Sequence, residues 1–368
     1  MRHLSDSLHR LHLGLGGILL TAACLGPDTG TGHGDQRSVL ITNQSGASLW
    51  LFQAIRDGWH PPRQLGAAAQ YRLSLAPGRY ALGTSADRPR MPLPLPAEEL
   101  GYTAPMATEV TVWPWPDAQP QWCWIPPGPG LLGDNLGIGQ EDERPVSTPD
   151  TAGFWLASHE TSNAQYAQFL NSIDAGKVDR AWLDLEGRKC RVQWDEASQR
   201  YTTDAPELPV VTVSYDGARA YCEWLTKTTG VTHRLPTETE WEKAARGPGS
   251  RVYAYGDTFR TPAANQESGT LRPIGQFEAN GFGLFDMTGN AFEWNANLYD
   301  SGRPDDGGTT FRALRGGSFV LDGIFVRNSM RMRLRPAVRA DDVGFRVLRE
   351  PGNTANQAPP HAGKDNAR

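Results

Sequence analysis

The sequence has few of the features that mark membrane-embedded or nucleic-acid-binding proteins. No internal stretch approaches the ~18 consecutive apolar residues that a membrane helix needs, so no internal transmembrane helix is predicted. Its 36 Lys and Arg residues are outnumbered by 41 Asp and Glu residues, and the net charge of −5 predicts no nucleic-acid partner. Cysteine and histidine are scarce, at four and eight copies, which limits thiolate or imidazole chemistry to few positions.

Glycine, proline and tryptophan are abundant instead. The chain has 40 Gly, 28 Pro and 12 Trp, a mixture typical of irregular, loop-rich folds with aromatic anchors and not of helical bundles. Apolar residues make up 39% of the chain, and 368 residues are enough for two domains with a sizeable core. The composition therefore predicts a loop-rich globular protein.

The first 24 residues are typical of an export signal that ends in a lipidation site. A basic start precedes a short apolar stretch, residues 13–23, which is too short to span a bilayer. Cys24 follows two small residues and resembles the lipidated cysteine of a bacterial lipobox, although Thr21 stands where the lipobox usually has Leu. The resemblance implies lipidation of Cys24, and cleavage before Cys24 without a lipid is the alternative.

The residues that follow the signal predict where the protein resides. Leu25, and not Asp, follows the cysteine, which implies the outer membrane in families that sort lipoproteins by this position. Residues 25–36 predict a flexible tether, and residues 351–368 predict a disordered tail, because both are polar and have nothing to bury. We therefore expect an exported lipoprotein, anchored to a membrane through Cys24, in the outer membrane or periplasm.

Residues 37–117 have the pattern of a small all-β sandwich domain. Runs of alternating, β-branched or aromatic residues are separated by turn-forming clusters. The predicted strands are 38–42, 48–52, 71–75, 79–83 and 109–113. No residue here indicates chemistry, so we interpret the region as a spacer or docking module.

Residues 118–350 contain seven motifs that together resemble the formylglycine-generating enzyme, or sulfatase-modifying factor, family. The motifs are WIPPG at 124–128 with ERP at 143–145, FWLASHETSN at 154–163, PVVTVS at 209–214, RLPTETEWEKAARG at 234–247, GLFDMTGNAFEW at 283–294, LRGGS at 314–318 and VGFR at 343–346. The resemblance implies an α+β, C-type-lectin-like fold in which a small β core is wrapped by long loops and short helices.

Helical spacing of apolar residues predicts short helices inside this domain. They follow Asn163, Ser214 and Thr237. Thr237 and Glu240 form a capping box that satisfies free N–H groups at a helix start, and Gly247 can supply the left-handed stop. These residues are expected to support the scaffold.

The family's oxidising members bind copper through two cysteines placed after the Gly-Gly-Ser motif, because soft thiolates suit Cu(I). Counted from the glycines, the corresponding positions here are Leu321 and Val326. Neither side chain binds copper or acts as a nucleophile. The resemblance therefore predicts a lipoprotein member of the family that lacks the catalytic cysteine pair, and copper is not expected.

Other routes to catalysis are restricted but not all closed. Cys222 is predicted to be buried on a helix, and a Cys190–Cys222 or Cys123–Cys190 disulfide leaves one thiol unpaired. The sulfoxide-synthase branch of the family needs three histidines, whereas only His159 and His233 lie in this domain. The siderophore-maturation branch is not marked by cysteines, so it stays open.

The loop at 288–293 resembles a calcium loop of the family. The resemblance implies that carbonyl oxygens of Thr288, Gly289 and Ala291 join the carboxylate of Glu293 around a structural Ca²⁺, since hard cations prefer oxygen ligands. The alternative is a structural turn in which Glu293 pairs with an arginine, for which Arg315 is the first candidate.

The segment after the Gly-Gly-Ser motif combines apolar and basic residues. One interpretation is that this segment forms a ligand- or anion-binding face. The residues expected to contact the ligand are then Phe319, Asp322, Phe325, Arg327 and Arg331. The alternative is that buried arginines join loops through bidentate pairs with carboxylates, and that the apolar residues belong to the core.

Two functions from different classes follow. The favoured one is a non-catalytic binding or scaffold module whose partner is an envelope protein or a small ligand. The other is an envelope oxidoreductase of the same superfamily with a different active site. Polar, titratable side chains that converge in a pocket would favour the second.

Overall fold

The computed structural model describes residues 37–43, 47–55, 58–75, 79–83, 91–94, 109–112, 121–174, 177–300 and 311–351. The export signal, Cys24, the tether and nearly all of the predicted tail lie outside these residues, so those expectations stay predictions. None of the helices within the described ranges combines the length and apolarity that crossing a membrane requires.

The first part of the chain consists of strands, as its alternating pattern predicts. Their bounds are β1 (Arg37–Asn43), β2 (Leu49–Ile55), β3 (Gly58–Trp59), β4 (Arg63–Gly66), β5 (Gln70–Leu75), β6 (Arg79–Gly83), β7 (Met91–Pro94) and β8 (Glu109–Val112). One sheet has the order β5-β1-β8, and a second has the order β3-β2-β6-β7 with β4 paired to β2. The predicted strands are confirmed; the domain boundary at residue 117 stays a prediction.

The second part contains short strands separated by long loops. Their bounds are β9 (Trp122–Ile125), β10 (Gly128–Pro129), β11 (Asp150–Thr151), β12 (Phe154–Ala157), β13 (Val192–Asp195), β14 (Arg200–Thr203), β15 (His233–Arg234), β16 (Phe292–Leu298), β17 (Arg312–Arg315), β18 (Met332–Leu334), β19 (Val343–Gly344) and β20 (Leu348–Arg349). This pattern agrees with the predicted α+β, loop-rich class.

Two four-stranded sheets form the centre of this part. One has the order β15-β20-β12-β9 and the other the order β18-β17-β16-β19. The strand nearest the C-terminus, β20, lies between β15 and β12, and β19 pairs in parallel with β16. The strands β10 and β11 form a small pair, and β13 and β14 form a separate antiparallel hairpin.

Each predicted helix is present and begins at a side-chain cap. The helices are α1 (Asn163–Asn171), α2 (Tyr215–Thr229) and α3 (Glu238–Arg246). Their N-caps are Ser162, Ser214 and Thr237, and the Thr237–Glu240 capping box is formed as predicted. Gly247 at the end of α3 has a positive φ of 63°, but its ψ of −176° lies outside the left-handed helical region, so the predicted left-handed stop is wrong in this detail.

Apolar clusters among the described residues hold these elements together, and two of them have the most members. The larger lies among α1, α2 and the second sheet, and includes Tyr166, Tyr221 and Trp294. A smaller core surrounds Trp241 of α3 and includes Leu284. Because large aromatic side chains bury much apolar surface from few positions, they compensate for the short strands.

Candidate functional site

The positions where the family carries copper-binding cysteines form a small apolar cluster. Leu321 and Val326 pack with Val252 and Tyr253, and Val326 is fully buried. Gly317 precedes them with a φ of 74°, and a Cβ there would lie 2.6 Å from Cγ1 of Val326. Both positions therefore belong to one apolar cluster, and their side chains supply only hydrocarbon.

The remaining cysteines do not replace the missing pair. Cys123, Cys190 and Cys222 are free thiols, so neither disulfide considered from the sequence is formed in the described structure. Burial raises the pKa of Cys123 to about 11 and raises the pKa of Cys190 and Cys222 as well. Since the thiolate is the form that binds metals and attacks electrophiles, these thiols are poorly suited to either task.

The segment after the Gly-Gly-Ser motif presents apolar side chains to solvent. Val320, Ile324 and Phe325 are 53%, 43% and 37% exposed, and we call these three residues the apolar face. Phe319, in contrast, is buried at 3% exposure. Asp322 is exposed. Of the residues predicted to bind a ligand, Asp322 and Phe325 are therefore accessible.

A cavity of about 690 Å³ adjoins the apolar face. Its walls are Arg188, Lys189, Gly269, Phe319, Val320, Asp341 and Asp342. The ammonium of Lys189 lies 5.3 Å from the centre of the Phe319 ring and donates to the Gly269 carbonyl at 3.1 Å. Arg188 pairs with Asp341 at 2.9 Å. The cavity thus combines an aromatic surface with charges of both signs.

Two of the predicted ligand-binding residues have structural roles instead. Arg327 makes two 2.8 Å hydrogen bonds to Glu143 and is almost fully buried. Arg331 makes the same bidentate contact with Glu238, also at 2.8 Å. Because these guanidiniums are saturated by carboxylates within the protein, the geometry gives no support to ligand binding by Arg327 or Arg331. It agrees with the alternative in which arginines join loops.

Glu293 of the predicted calcium loop is fully buried and engaged by other side chains. Its carboxylate oxygens accept hydrogen bonds from Arg346 at 2.7–2.9 Å and from the indole N–H of Trp241 at 2.6 Å. Arg346 is therefore its partner, and not Arg315, which instead contacts Glu238 at 3.0 Å.

The predicted calcium ligands were Thr288, Gly289, Ala291 and Glu293. A carboxylate already neutralised by a guanidinium does not fit the charge that a calcium site supplies. The Thr288 hydroxyl accepts from Ala254 N–H at 3.0 Å. These contacts agree with the structural-turn interpretation, and calcium binding by this loop stays a prediction.

Two further carboxylates, which sequence reasoning did not single out, lie close to Glu293. Glu160 and Asp286 are buried, and each has one carboxylate oxygen without a hydrogen-bond partner. Burial raises the pKa of both. Asn290 donates to Glu160 at 3.0 Å, and Gly275 N–H donates to Asp286 at 2.6 Å. Within the described ranges, however, no group of three or more His, Cys, Asp or Glu residues is arranged to hold a metal ion.

His159 lies at the edge of a second cavity, of about 260 Å³, that also includes Glu160 and Glu207. Its ring stacks on Phe285 with centroids 4.6 Å apart, and its Nδ1 lies 2.8 Å from the Ser158 hydroxyl oxygen. Burial lowers the pKa of His159 to about 4, so the ring is neutral at physiological pH. The sequence feature that points to this cavity is the SHETSN motif, in which polar residues directly follow an apolar strand.

The comparison with known families agrees with the motifs and the fold. Residues 111–351 match the family model described as a sulfatase-modifying factor enzyme 1-like domain. This chain belongs to that family. The predicted family membership and fold class are therefore confirmed.

Relatives in the sulfatase-modifying factor family include both active and inactive proteins. The formylglycine-generating enzyme of Mycobacterium tuberculosis is 29% identical over 57% of this chain and 92% of its own length. The inactive C-alpha-formylglycine-generating enzyme 2 of Bos taurus is 37% identical over 38% of this chain and 50% of its own length. Against two longer relatives, the chain spans only 37% and 35% of the relative's length.

Among solved structures, PvdO from Pseudomonas aeruginosa is similar to this chain at a TM-score of 0.50. The two are 28% identical, and the similarity covers 62% of this chain and 94% of PvdO. Nearly all of PvdO is therefore matched by part of this chain.

Proposed function

We propose that the sulfatase-modifying-factor domain of this chain is a non-catalytic binding module, and that the chain is an exported protein anchored to a membrane through lipidated Cys24. The module binds an envelope protein or a small ligand through the apolar face and the adjoining cavity. In this proposal the domain has the family's fold but lacks the copper-binding thiolates of the family's oxidising members.

The observation that carries the proposal is the apolar contact between Leu321 and Val326 and their neighbours. Copper(I) needs soft donor atoms, and neither aliphatic side chain has one. The free thiols elsewhere have raised pKa values, so they offer no ready thiolate. Similarity to an inactive relative is consistent with this assignment.

Exposed side chains support binding at the apolar face. Val320, Ile324 and Phe325 project large apolar surfaces from one short segment, and exposed apolar patches are typical of interaction sites. The cavity beside them is within the ~300–1,000 Å³ range of small-molecule sites. A partner that covers the face can therefore also place one side chain or small group in the cavity.

The catalytic part of the proposal is tested with copper and a cysteine-containing peptide. The wild-type protein is expected to bind no stoichiometric Cu(I) and to convert no peptide cysteine to an aldehyde. A Leu321→Cys/Val326→Cys variant provides the matched positive control for copper, because it places thiols at two positions that belong to one apolar cluster. Stoichiometric copper or aldehyde formation by the wild type would refute the proposal.

Binding is tested by cross-linking in envelopes. A photo-reactive group at position 324 is expected to capture a specific partner, and the Val320→Asp/Phe325→Ala variant is expected to lose it. Val338→Asp is the matched control, since Val338 is also an exposed apolar residue outside the face. Equal capture by wild type and the face variant would contradict binding at this surface. Phe319 is left unchanged because its buried ring supports the fold.

Anchoring is tested by labelling cells with a radioactive fatty acid. The wild-type chain is expected to carry the label and to fractionate with membranes. A Cys24→Ser variant is expected to lose both properties. An unlabelled wild-type chain would instead support cleavage without lipidation.

The pocket of His159 supports a second candidate function, an oxidoreductase of the same superfamily with a different active site. Its neutral imidazole lies beside Glu160, whose pKa is raised by burial, and such perturbed groups are common in active sites. If the wild type forms aldehyde and a His159→Gln variant of equal stability does not, activity belongs to this pocket. Equal aldehyde formation by both proteins would exclude His159 from the reaction.

A further inference from the structure

The β13–β14 hairpin forms one wall of an open cavity of about 480 Å³ that shares no lining residue with either site described above. We call it the hairpin cleft. Two of its lining residues are the aromatic side chains of Trp194 and Tyr201. Its volume lies within the ~300–1,000 Å³ range of small-ligand sites. We propose that the hairpin cleft binds a neutral saccharide.

The aromatic surface of the cleft is held in place before any ligand arrives. Trp194 and Tyr201 are direct partners across the hairpin, with ring centres 5.1 Å apart at an interplanar angle of 67°. Asn171 at the end of α1 accepts from Tyr201 N–H and donates to its carbonyl, both at 2.8 Å. A platform fixed in this way loses little conformational freedom on binding.

The hairpin turn is also ordered by its own side chain. Asp195 accepts hydrogen bonds from Ala197 N–H at 3.2 Å, and from the N–H and hydroxyl of Ser198 at 3.3 and 2.6 Å. On the opposite wall, the Arg339 guanidinium donates to the Arg180 carbonyl at 3.0 Å. Both sides of the cleft are therefore shaped by internal contacts.

Charged groups of both signs surround the aromatic pair. The acidic lining residues are Asp179, Asp184, Glu186 and Glu196, and the basic ones are Arg180 and Arg339. Within the described part of the chain, none of these six forms an ion pair. The carboxylates of Asp179, Asp184 and Glu196 accept hydrogen bonds only from nearby residues of their own segments. The six groups therefore keep hydrogen-bonding capacity for a ligand.

This mixture favours a neutral, polyhydroxylated ligand that has one apolar face. Carboxylates accept from hydroxyl groups, guanidiniums donate to them, and an aromatic ring packs against the C–H face of a sugar. The four carboxylates would repel an anionic ligand, and the two arginines would repel a basic peptide. Because a neutral saccharide meets neither repulsion, it can use both kinds of charged group.

The proposal is tested on full-length protein in detergent with cellohexaose, chitohexaose and maltohexaose as probes, and with decalysine as the competing class. Binding is followed by saturation-transfer NMR and titration calorimetry. We expect at least one hexasaccharide to bind. Trp194→Ala should weaken that binding by at least about tenfold, because it removes the stacking surface.

Two further variants separate a binding role from a structural one. Asp184→Asn/Glu186→Gln removes two carboxylate charges from the cleft without changing side-chain shape, and it should weaken saccharide binding by several-fold. Phe259→Ala removes an exposed aromatic outside the cleft and should leave binding unchanged. Thermal melting checks that each variant is folded, and the charge variant keeps the test decisive if Trp194→Ala does not fold.

Three results would overturn the assignment. They are no binding of any hexasaccharide, saccharide binding that survives both cleft variants, or selective decalysine binding that the charge variant abolishes. The last result would indicate a site for basic peptides. Because the apolar face is left intact in these cleft variants, failure here does not bear on the proposed binding module.

Discussion

The interior around Glu293 contains buried charged groups, whereas Leu321 and Val326 have only apolar side chains. Glu293 and Arg346 are fully buried, yet they form a bidentate ion pair with additional support from Trp241. Leu321 and Val326 occupy the family's metal-binding positions, yet they are purely apolar. This ion pair therefore stabilises the interior of the domain, while the side chains of Leu321 and Val326 supply only hydrocarbon.

The difference shows which parts of the fold need polar chemistry. Long loops have few backbone partners, so arginines that pair with carboxylates, such as Arg315, Arg327 and Arg331, connect segments that are far apart in sequence. Leu321 and Val326 also contact a distant segment, since they pack with Val252 and Tyr253, but this packing needs only apolar side chains of suitable volume. The scaffold thus does not require polar side chains at these two positions.

The largest expected effect comes from breaking the charged interior. Arg346→Met should lower the free energy of unfolding by about 3–5 kcal/mol, because it leaves the carboxylate of Glu293 buried without its counter-charge. Denaturant unfolding monitored by tryptophan fluorescence measures the change.

The matched control for that change is an exposed pair. Arg219 contacts Asp216 and Glu223 on the surface of α2, and Arg219→Ala should change stability by less than about 0.5 kcal/mol. Similar losses in the two variants would contradict the contrast between the interior and the surface.

A smaller effect is expected where the backbone approaches the apolar segment. Gly317→Ala should cost about 2–3 kcal/mol, because the residue has a φ of 74° and its new Cβ would meet Val326. Gly230→Ala has the same positive φ at the end of α2 but open space around it, and should cost about 1 kcal/mol. Equal losses in the free energy of unfolding for the two variants, measured by thermal or chemical unfolding, would show that the contact with Val326 contributes nothing to the cost.

Acidification should weaken the fold through His159. Since burial lowers its pKa from 6.5 to about 4, the unfolded chain binds a proton that the folded chain rejects, and stability falls as pH drops through this window. The expected loss is about 1–2 kcal/mol after allowance for partial exposure. His159→Gln should remove this part of the pH dependence, measured as the difference between unfolding curves at pH 7 and pH 4.

The smallest expected effect concerns calcium. Because Arg346 already neutralises Glu293, exchanging calcium for a chelator should shift the melting temperature by less than about 1 °C. A shift of several degrees that disappears in a Glu160→Gln variant would show instead that the partner-free oxygens of Glu160 and Asp286 bind the ion.

Local features were readable from the sequence because they depend on neighbouring residues. The Thr237–Glu240 capping box, the helix after Ser214 and the strand at 79–83 appear where the sequence predicts them. Each depends on spacing within about one helical turn or one strand. The motif order was sufficient to predict the family fold as well.

Pairings between distant residues were not readable in the same way. Glu293 lies opposite Arg315 in the β16–β17 register, but its side chain reaches Arg346, while Arg315 turns toward α3. Phe319 is only 3% exposed, whereas its neighbour Val320 is 53% exposed, although both line the same cavity. Such outcomes depend on three-dimensional packing, which no local pattern encodes.

The position of β20 has a consequence for how the domain is made. This last strand lies inside its sheet, and β19, a few residues earlier, completes the edge of the other sheet. The sheet that ends in β19 cannot be completed before residue 344 is available, and the sheet that contains β20 cannot be completed before residue 349 is available. A chain that stops before residue 343 lacks the closing strand of both sheets at once.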